Sequence, residues 1–127
     1  MSFGPVAWIG LGDITTPNWP VALVFFKVVV LYPLLEEFAF RGTVQTWILS
    51  RTARLDSVFG LSLANVVTSL LFAAAHLIYQ PVFWALATFL PSLVFGYFRE
   101  RFDRVLPGVV LHSWYNLGFL LFVAGQA

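Results

Sequence analysis

The 127-residue sequence contains no cysteine, and charged residues make up only 10% of it. Without cysteine, disulfide bonds, thiolate metal sites and a cysteine nucleophile are excluded. The charge content lies well below the roughly 25% that is usual in soluble domains. A net charge of +1 argues against nucleic-acid binding, which requires a basic patch. These absences exclude most classes of soluble protein before any motif is considered.

The hydrophobic residues, 60% of the chain, lie in long runs without charge. Residues 57–98 carry no formal charge, and none follows Arg104. Since a spanning helix needs about 20 apolar residues, the first run is long enough for two spans and the second for one. We therefore predict an all-α integral membrane protein whose surroundings are a lipid bilayer.

Four transmembrane helices are predicted in a single membrane domain that covers residues 1–127. The apolar runs and the polar turns between them place these helices at about 20–50, 57–79, 81–98 and 105–124, after an N-terminal tail at 1–19. The first helix is longer than a bilayer of about 30 Å requires, so it is tilted, kinked at Pro33, or extends beyond the membrane. Pro91 is expected to kink the third helix.

Five arginines indicate the orientation of the bundle. Arg51 and Arg54 lie in the first predicted loop, and Arg99, Arg101 and Arg104 lie in the third. By the positive-inside rule, both of these loops are predicted to be cytoplasmic and both termini outside.

Five ionisable residues fall inside predicted spans: Glu36, Glu37, Arg41, His76 and His112. A charged, unpaired side chain at the bilayer centre costs roughly 2.5–3.5 kcal/mol or more, so such residues usually face the bundle interior and mark function. The alternative is that they only hold the helices together through hydrogen bonds.

Spacing separates the roles of the charged residues in the first helix. Glu37 and Arg41 are four residues apart, so they share a face and can pair, and Gln45 extends this polar stripe. Glu36 is rotated by about 100° from Glu37. It is therefore expected to remain free, which suits a general base.

Two other predicted helices carry polar stripes at helical spacing. His112 and Asn116 are four residues apart on the fourth helix, and the second helix has a stripe with steps of four, three and four residues. The residues of that second stripe are Asn65, Ser69, Phe72 and His76. A carboxylate, two imidazoles and an amide that converge from three helices can activate a water and stabilise an oxyanion.

Three motifs carry a resemblance to a known family. Residues 36–42 (EEFAFRG), 72–76 (FAAAH) and 112–116 (HSWYN) read as EExxFRG, FxxxH and HxxxN. In this order, on three of four predicted helices, they resemble the CPBP family of intramembrane proteases, which includes the type II CAAX prenyl endopeptidases and bacterial Abi-type proteins. The resemblance covers roughly residues 21–121. It implies a minimal four-helix CPBP catalytic core in a bacterial or archaeal inner (plasma) membrane.

The resemblance also implies a role for each motif residue. Glu36 and His76 would activate the water, and His112 and Asn116 would stabilise the oxyanion of the tetrahedral intermediate. Three further residues would support them: Glu37, Arg41 and Phe72. No cofactor is expected, because the sequence has no HExxH motif and asparagine is a poor zinc ligand. In a metal-dependent mechanism the ligands would be Glu36, His76 and His112.

The predicted function is that of an intramembrane endopeptidase, which hydrolyses a peptide bond of a membrane-anchored protein or peptide. Its substrate would carry a C-terminal sorting signal or a CAAX-like end. The alternative is a non-enzymatic membrane immunity or binding subunit that uses the same polar core. Since larger family members have additional helices around this core, a homo-oligomer could complete the substrate groove.

Overall fold

The computed structural model describes residues 21–52 and 59–126, and every element in these ranges is helical. The elements form α1 (residues 21–52), α2 (Leu63–His76), α3 (Val82–Phe102) and α4 (Leu106–Gly125). This confirms the all-α class for the described part of the chain. Within that part, two segments are long and apolar enough to cross a membrane, Val82–Phe102 and Leu106–Val123, and Leu63–His76 is apolar but shorter. The predicted N-terminal tail, residues 1–19, lies outside the described residues.

The long helix α1 alternates between two helical geometries. Its α-helical segments are Val21–Phe26, Tyr32–Glu37 and Thr46–Thr52, and π-helical segments occupy Lys27–Leu31 and Phe38–Gln45. The first π segment ends where Tyr32 donates its backbone N–H to the carbonyl of Lys27, just before Pro33. Because proline has no N–H, it cannot donate the α-helical hydrogen bond at this position. A wider, π-helical turn is therefore expected here.

Helix α2 is shorter than the predicted range of 57–79. It begins at Leu63, where the hydroxyl of Ser62 accepts a hydrogen bond from the backbone N–H of Asn65 at 3.0 Å. The predicted start is wrong because Phe59 and Gly60 have left-handed backbone angles, φ 55° and 77°, which no α-helix continues through. Residues 53–58 lie outside the described ranges. At the other end the helix stops at His76, and residues 77–79 form a turn.

Helix α3 extends beyond its predicted range of 81–98. Residues 99–102, expected as a polar turn, form its last helical turn, and Asp103 ends it with φ 52°. One non-helical residue, Thr88, separates Val82–Ala87 from Phe89–Phe102. The break lies three residues before Pro91, whose missing N–H leaves the preceding turn without a donor. Helix α4 follows its predicted range of 105–124 closely.

The described residues pack with polar groups inside and apolar groups outside. Buried side chains are as often polar as apolar, while many large apolar side chains, such as Phe83 and Trp114, are exposed. A water-soluble protein shows the reverse arrangement. The α1 segment Tyr32–Glu37 packs on α4, and its segment Phe38–Gln45 packs on α2 and α3. This packing buries Glu37 and Arg41 of α1 within the bundle.

Candidate active site

His112 on α4 lies between two carboxylates of α1. Its Nδ1 is 2.9 Å from Oε1 of Glu37, and its Nε2 is 3.4 Å from Oε2 of Glu36. The expectation that Glu36 stays free is therefore wrong, because spacing along one helix cannot reveal a partner on another. The Glu36 side chain is 28% exposed and that of Glu37 is fully buried. Of the two carboxylates, Glu36 is the one that a water or a substrate can reach.

Glu37 also forms the predicted ion pair with Arg41. Oε2 of Glu37 lies 3.3 Å from Nε of Arg41, and both side chains are fully buried. One oxygen of this carboxylate therefore pairs with Arg41, and the other contacts His112. Glu37 thus fixes the orientation of the His112 imidazole with respect to α1.

Arg41 is in turn held by a serine of α3 that the sequence did not single out. Nη2 of Arg41 donates to the backbone carbonyl of Ser92 at 2.6 Å and also to its hydroxyl. The hydroxyl of Ser92 donates to Ser69 on α2 at 2.9 Å, and Ser69 donates to Oδ1 of Asn65 at 3.2 Å. The predicted polar stripe of α2 is therefore buried and connected to the charged pair of α1.

The polar network continues from Gln45 to the end of α3. Nε2 of Gln45 donates to the carbonyl of Gly96 at 3.0 Å and to Oε2 of Glu100 at 2.7 Å. The hydroxyl of Ser62 donates to the same oxygen of Glu100 at 2.5 Å. Glu100, expected in a polar turn, instead joins the ends of α1, α2 and α3.

Arg99, another residue expected in that turn, binds the irregular part of α1. Its Nε donates to the carbonyl of Arg41 at 3.3 Å, and its Nη2 donates to the hydroxyl of Thr46 at 2.9 Å. Because the π segment Phe38–Gln45 departs from the α-helical ladder, a carbonyl within it can accept a side-chain donor. Arg99 therefore fastens α3 to the segment that carries Arg41.

Phe72 lies beside both histidines. Its ring centroid is 4.4 Å from that of His76 and 5.7 Å from that of His112, and Cζ of Arg41 lies 4.9 Å from it. Phe95 of α3, a residue missed by the sequence analysis, stacks on His112 with centroids 4.9 Å apart. These two buried rings hold the imidazole of His112 in place from two sides.

His76 and Glu36, which the resemblance pairs in activating water, contact different groups in the structure. Nδ1 of His76 lies 2.7 Å from the backbone carbonyl of Phe72. A carbonyl oxygen only accepts, so Nδ1 carries the proton and Nε2 presents a lone pair. The direct partner of Glu36 is His112. His76 therefore adjoins the carboxylate–imidazole group through Phe72.

Asn116 lies one turn beyond His112 on α4. Its Nδ2 donates a hydrogen bond of 2.9 Å to the backbone carbonyl of Val28 in the π segment of α1. Asn116 thus approaches α1 next to the segment that carries Glu36, and one of its two amide hydrogens is already engaged.

Two glycines allow the helices to approach the polar network. A Cβ atom at Gly108 would lie 2.9 Å from Oε2 of Glu37, and one at Gly96 would overlap the side-chain amide of Asn65. Real Cβ atoms essentially never come so close to another heavy atom. Gly108 precedes His112 by four residues and so shares its helical face, a signal that could have identified it from the sequence.

The sequence left Glu36, His76 and His112 as the alternative zinc ligands. Nδ1 of His112 faces the carboxylate of Glu37 and Nδ1 of His76 faces a carbonyl, partners that orient an imidazole whether its Nε2 serves a metal or a proton. In residues 21–52 and 59–126, no group of three histidine, aspartate or glutamate side chains is placed to hold one ion. As placed, the described residues therefore do not assemble this ligand set.

Comparison with known families identifies the chain. The model of the type II CAAX prenyl endopeptidase Rce1-like family matches residues 17–118. The chain belongs to this family. The match includes all three motifs and confirms the resemblance to the CPBP proteases. With the two long apolar helices, family membership indicates a membrane protein.

The chain is also similar to one curated bacterial protein. It is 35% identical over 92 residues to an uncharacterized 24.3 kDa protein of Escherichia coli. The aligned region is 72% of this chain and spans 40% of the length of that relative. No solved structure matches the chain.

Proposed function

We propose that the chain is an intramembrane endopeptidase that hydrolyses a peptide bond of a membrane-anchored protein or peptide, with Glu36 as the group that activates water. The observation that carries this proposal is the asymmetry of the two carboxylates on His112. Glu37 is fully buried and paired with Arg41, whereas Glu36 is partly exposed and faces the other nitrogen of the imidazole. One carboxylate is placed to orient the histidine, and the other is placed to react.

The reaction follows from this arrangement. Glu36 takes a proton from a water molecule, assisted by the lone pair of His76, and the water oxygen bonds to the scissile carbonyl carbon. His112 and Asn116 stabilise the oxyanion that forms. The C–N bond then breaks, and the departing amine receives the proton that Glu36 had taken. The products are a carboxylic acid and an amine, which ionise to a carboxylate and an ammonium group, and no external reactant besides water is consumed.

The proposed enzyme crosses the membrane four times, with both arginine-bearing loops cytoplasmic and both termini outside. Helices α3 and α4 have the length and hydropathy that crossing requires. Helix α2 has 14 residues, about 21 Å at 1.5 Å per residue, so it needs its flanking residues to span a core of about 30 Å. In helix α1 the side chains of Glu37, Arg41 and Gln45 are buried in the bundle, so the central polar residues of this span do not face lipid.

The substrate class follows from the family. The type II CAAX prenyl endopeptidases, by their name, cleave near a C-terminal CAAX sequence, and we extend this to a membrane-anchored substrate with a CAAX-like end or a C-terminal sorting signal. The exterior of the bundle is apolar, and the reactive carboxylate of Glu36 is partly exposed within it. A substrate that is itself in the bilayer reaches such a site most readily.

Co-expression with candidate membrane-anchored substrates tests the proposal. Wild-type protein, Glu36→Gln and the surface control Asp103→Asn are compared at equal membrane abundance, and cleaved termini are identified by mass spectrometry. Cleavage with the wild type and Asp103→Asn only is expected. If Glu36→Gln still binds and protects its partner, and no variant cleaves it, the chain is a non-enzymatic binding subunit and the proposal fails.

A further inference from the structure

The carbonyl of Val28 lacks its helical partner. In an α-helix this oxygen would accept the N–H of Tyr32, but Tyr32 donates to Lys27 instead. In the wider π-helical register the donor would be residue 33, five positions on, and Pro33 has no N–H. Pro33 is fully buried, so water is not at hand to replace the missing donor. A buried carbonyl in this position requires another partner.

Asn116 is that partner. Its Nδ2 lies 2.9 Å from the oxygen of Val28, across 88 positions of sequence. Since a carbonyl only accepts, the amide nitrogen of Asn116 must face it, and the planar amide cannot rotate or flip without losing this bond. The second hydrogen of the same nitrogen is therefore held in a defined direction.

We infer that Pro33 is a positioning residue: by removing a backbone N–H it frees the carbonyl of Val28, and this carbonyl orients the amide of Asn116 for the reaction. The inference rests on the proposed function, in which Asn116 donates its remaining N–H to the oxyanion. An amide that is already oriented pays no cost of reorganisation when the negative charge develops.

Restoration of the N–H at position 33 tests the inference. In Pro33→Ala the new N–H competes for the carbonyl of Val28 and releases Asn116. Pro33→Gly restores the same N–H but also removes Cβ, so an effect on Asn116 that grows from Pro33→Ala to Pro33→Gly would indicate lost packing, whereas the restored hydrogen bond predicts similar effects. Pro107→Ala is the matched control, because Pro107 lies in the first turn of α4, where a backbone N–H has no acceptor within the helix.

The first readout is the side-chain amide of Asn116 itself. The chain has three asparagines, Asn18, Asn65 and Asn116, so ¹⁵N-asparagine labelling gives three side-chain amide signals, and Asn116→Ala assigns the one of interest. In Pro33→Ala and Pro33→Gly this signal is expected to shift and to exchange faster with water, with Pro107→Ala unchanged. An unmoved signal in both Pro33 variants overturns the inference, whether or not any substrate is cleaved.

The second readout is kinetic, with a quenched fluorescent peptide that ends in a CAAX-like sequence, in vesicles of phosphatidylethanolamine and phosphatidylglycerol. Both Pro33 variants are expected to lower kcat about 10- to 100-fold with KM nearly unchanged. The thermal unfolding midpoint of Pro33→Ala should stay level or rise, since proline is unfavourable inside a helix, and that of Pro33→Gly should lie below it, since glycine is a poor helix former. In an Asn116→Ala background the Pro33→Ala change should have no further effect on kcat. An unchanged kcat in the presence of a shifted amide signal overturns the inference.

If no form cleaves the peptide, including the wild type, the proposed function is contradicted instead. The amide signal of Asn116 then still shows whether Pro33 orients this side chain.

Discussion

Glu37 and His112 are joined by a buried hydrogen bond of 2.9 Å between residues 75 positions apart. The other oxygen of the same carboxylate lies 3.3 Å from Nε of Arg41. A single side chain thus neutralises a buried arginine and sets the orientation of a histidine on a different helix. A change at this residue should therefore affect both the folding stability and the proposed activity.

Replacement of Glu37 by glutamine should destabilise the protein strongly. The change leaves Arg41 buried without its counter-ion, and removal of one partner of a buried pair typically costs about 3–5 kcal/mol. The double variant Glu37→Leu/Arg41→Met removes both charges and should recover much of this loss without recovering cleavage. Thermal unfolding in detergent measures the free energy of unfolding. A double variant no more stable than Glu37→Gln would show that the buried charge is not the cause.

Replacement of Gly108 by alanine should disturb the site through one methyl group. Its Cβ would lie 2.9 Å from Oε2 of Glu37. The carboxylate must then move, so the ion pair with Arg41 weakens, and we expect a loss of about 1–3 kcal/mol. Gly118→Ala on the same helix is the matched control, because its Cβ would meet no atom within 4 Å. Equal unfolding midpoints for the two variants would contradict the tight approach of α4 to Glu37.

The removal of the Ser92 hydroxyl tests the connection between α3 and Arg41. In Ser92→Ala the backbone carbonyl still accepts from Arg41, but the hydroxyl acceptor and the bond to Ser69 are lost. We expect a loss of about 1–3 kcal/mol in unfolding free energy. Ser50 is exposed and donates only a local bond to Trp47, so Ser50→Ala should change the free energy of unfolding by less than about 0.5 kcal/mol. Similar losses in both variants would show that the buried network contributes little.

Treatment with a metal chelator should leave cleavage unchanged. The described residues, 21–52 and 59–126, bring no three histidine, aspartate or glutamate side chains into position around one ion. Peptide cleavage is measured before and after dialysis against 1,10-phenanthroline, and then with added zinc. Activity that disappears with the chelator and returns with zinc would contradict the metal-free reaction.

Relationships within one helix could be predicted from the sequence because helical spacing determines which residues share a face. The pairing of Glu37 with Arg41 and the buried stripe that contains Ser69 and His76 were confirmed on this basis. The family was confirmed as well, since its motifs combine such spacings. The roles assigned to the motif residues stay predictions.

Relationships between helices could not be predicted in the same way. The contacts of His112 with Glu36, and of Arg41 with Ser92, depend on how the helices pack, which spacing along one helix does not determine. The ends of α2 and α3 were misplaced because left-handed backbone at Gly60 and Asp103, rather than charge, sets them. Pro33 indicated an irregularity in α1. That it frees the carbonyl of Val28 for Asn116 depends on how α4 packs on α1, which the sequence does not determine.

The role of Glu36 in peptide hydrolysis is tested with purified protein. Wild type, Glu36→Gln and Asp103→Asn are incubated in vesicles with the CAAX-like peptide, and the masses of all products are measured by mass spectrometry. For the wild type and Asp103→Asn we expect two fragments whose masses sum to that of the peptide plus one water. For Glu36→Gln we expect a rate lower by at least about 100-fold. Cleavage by Glu36→Gln at the wild-type rate would show that this carboxylate does not activate the water.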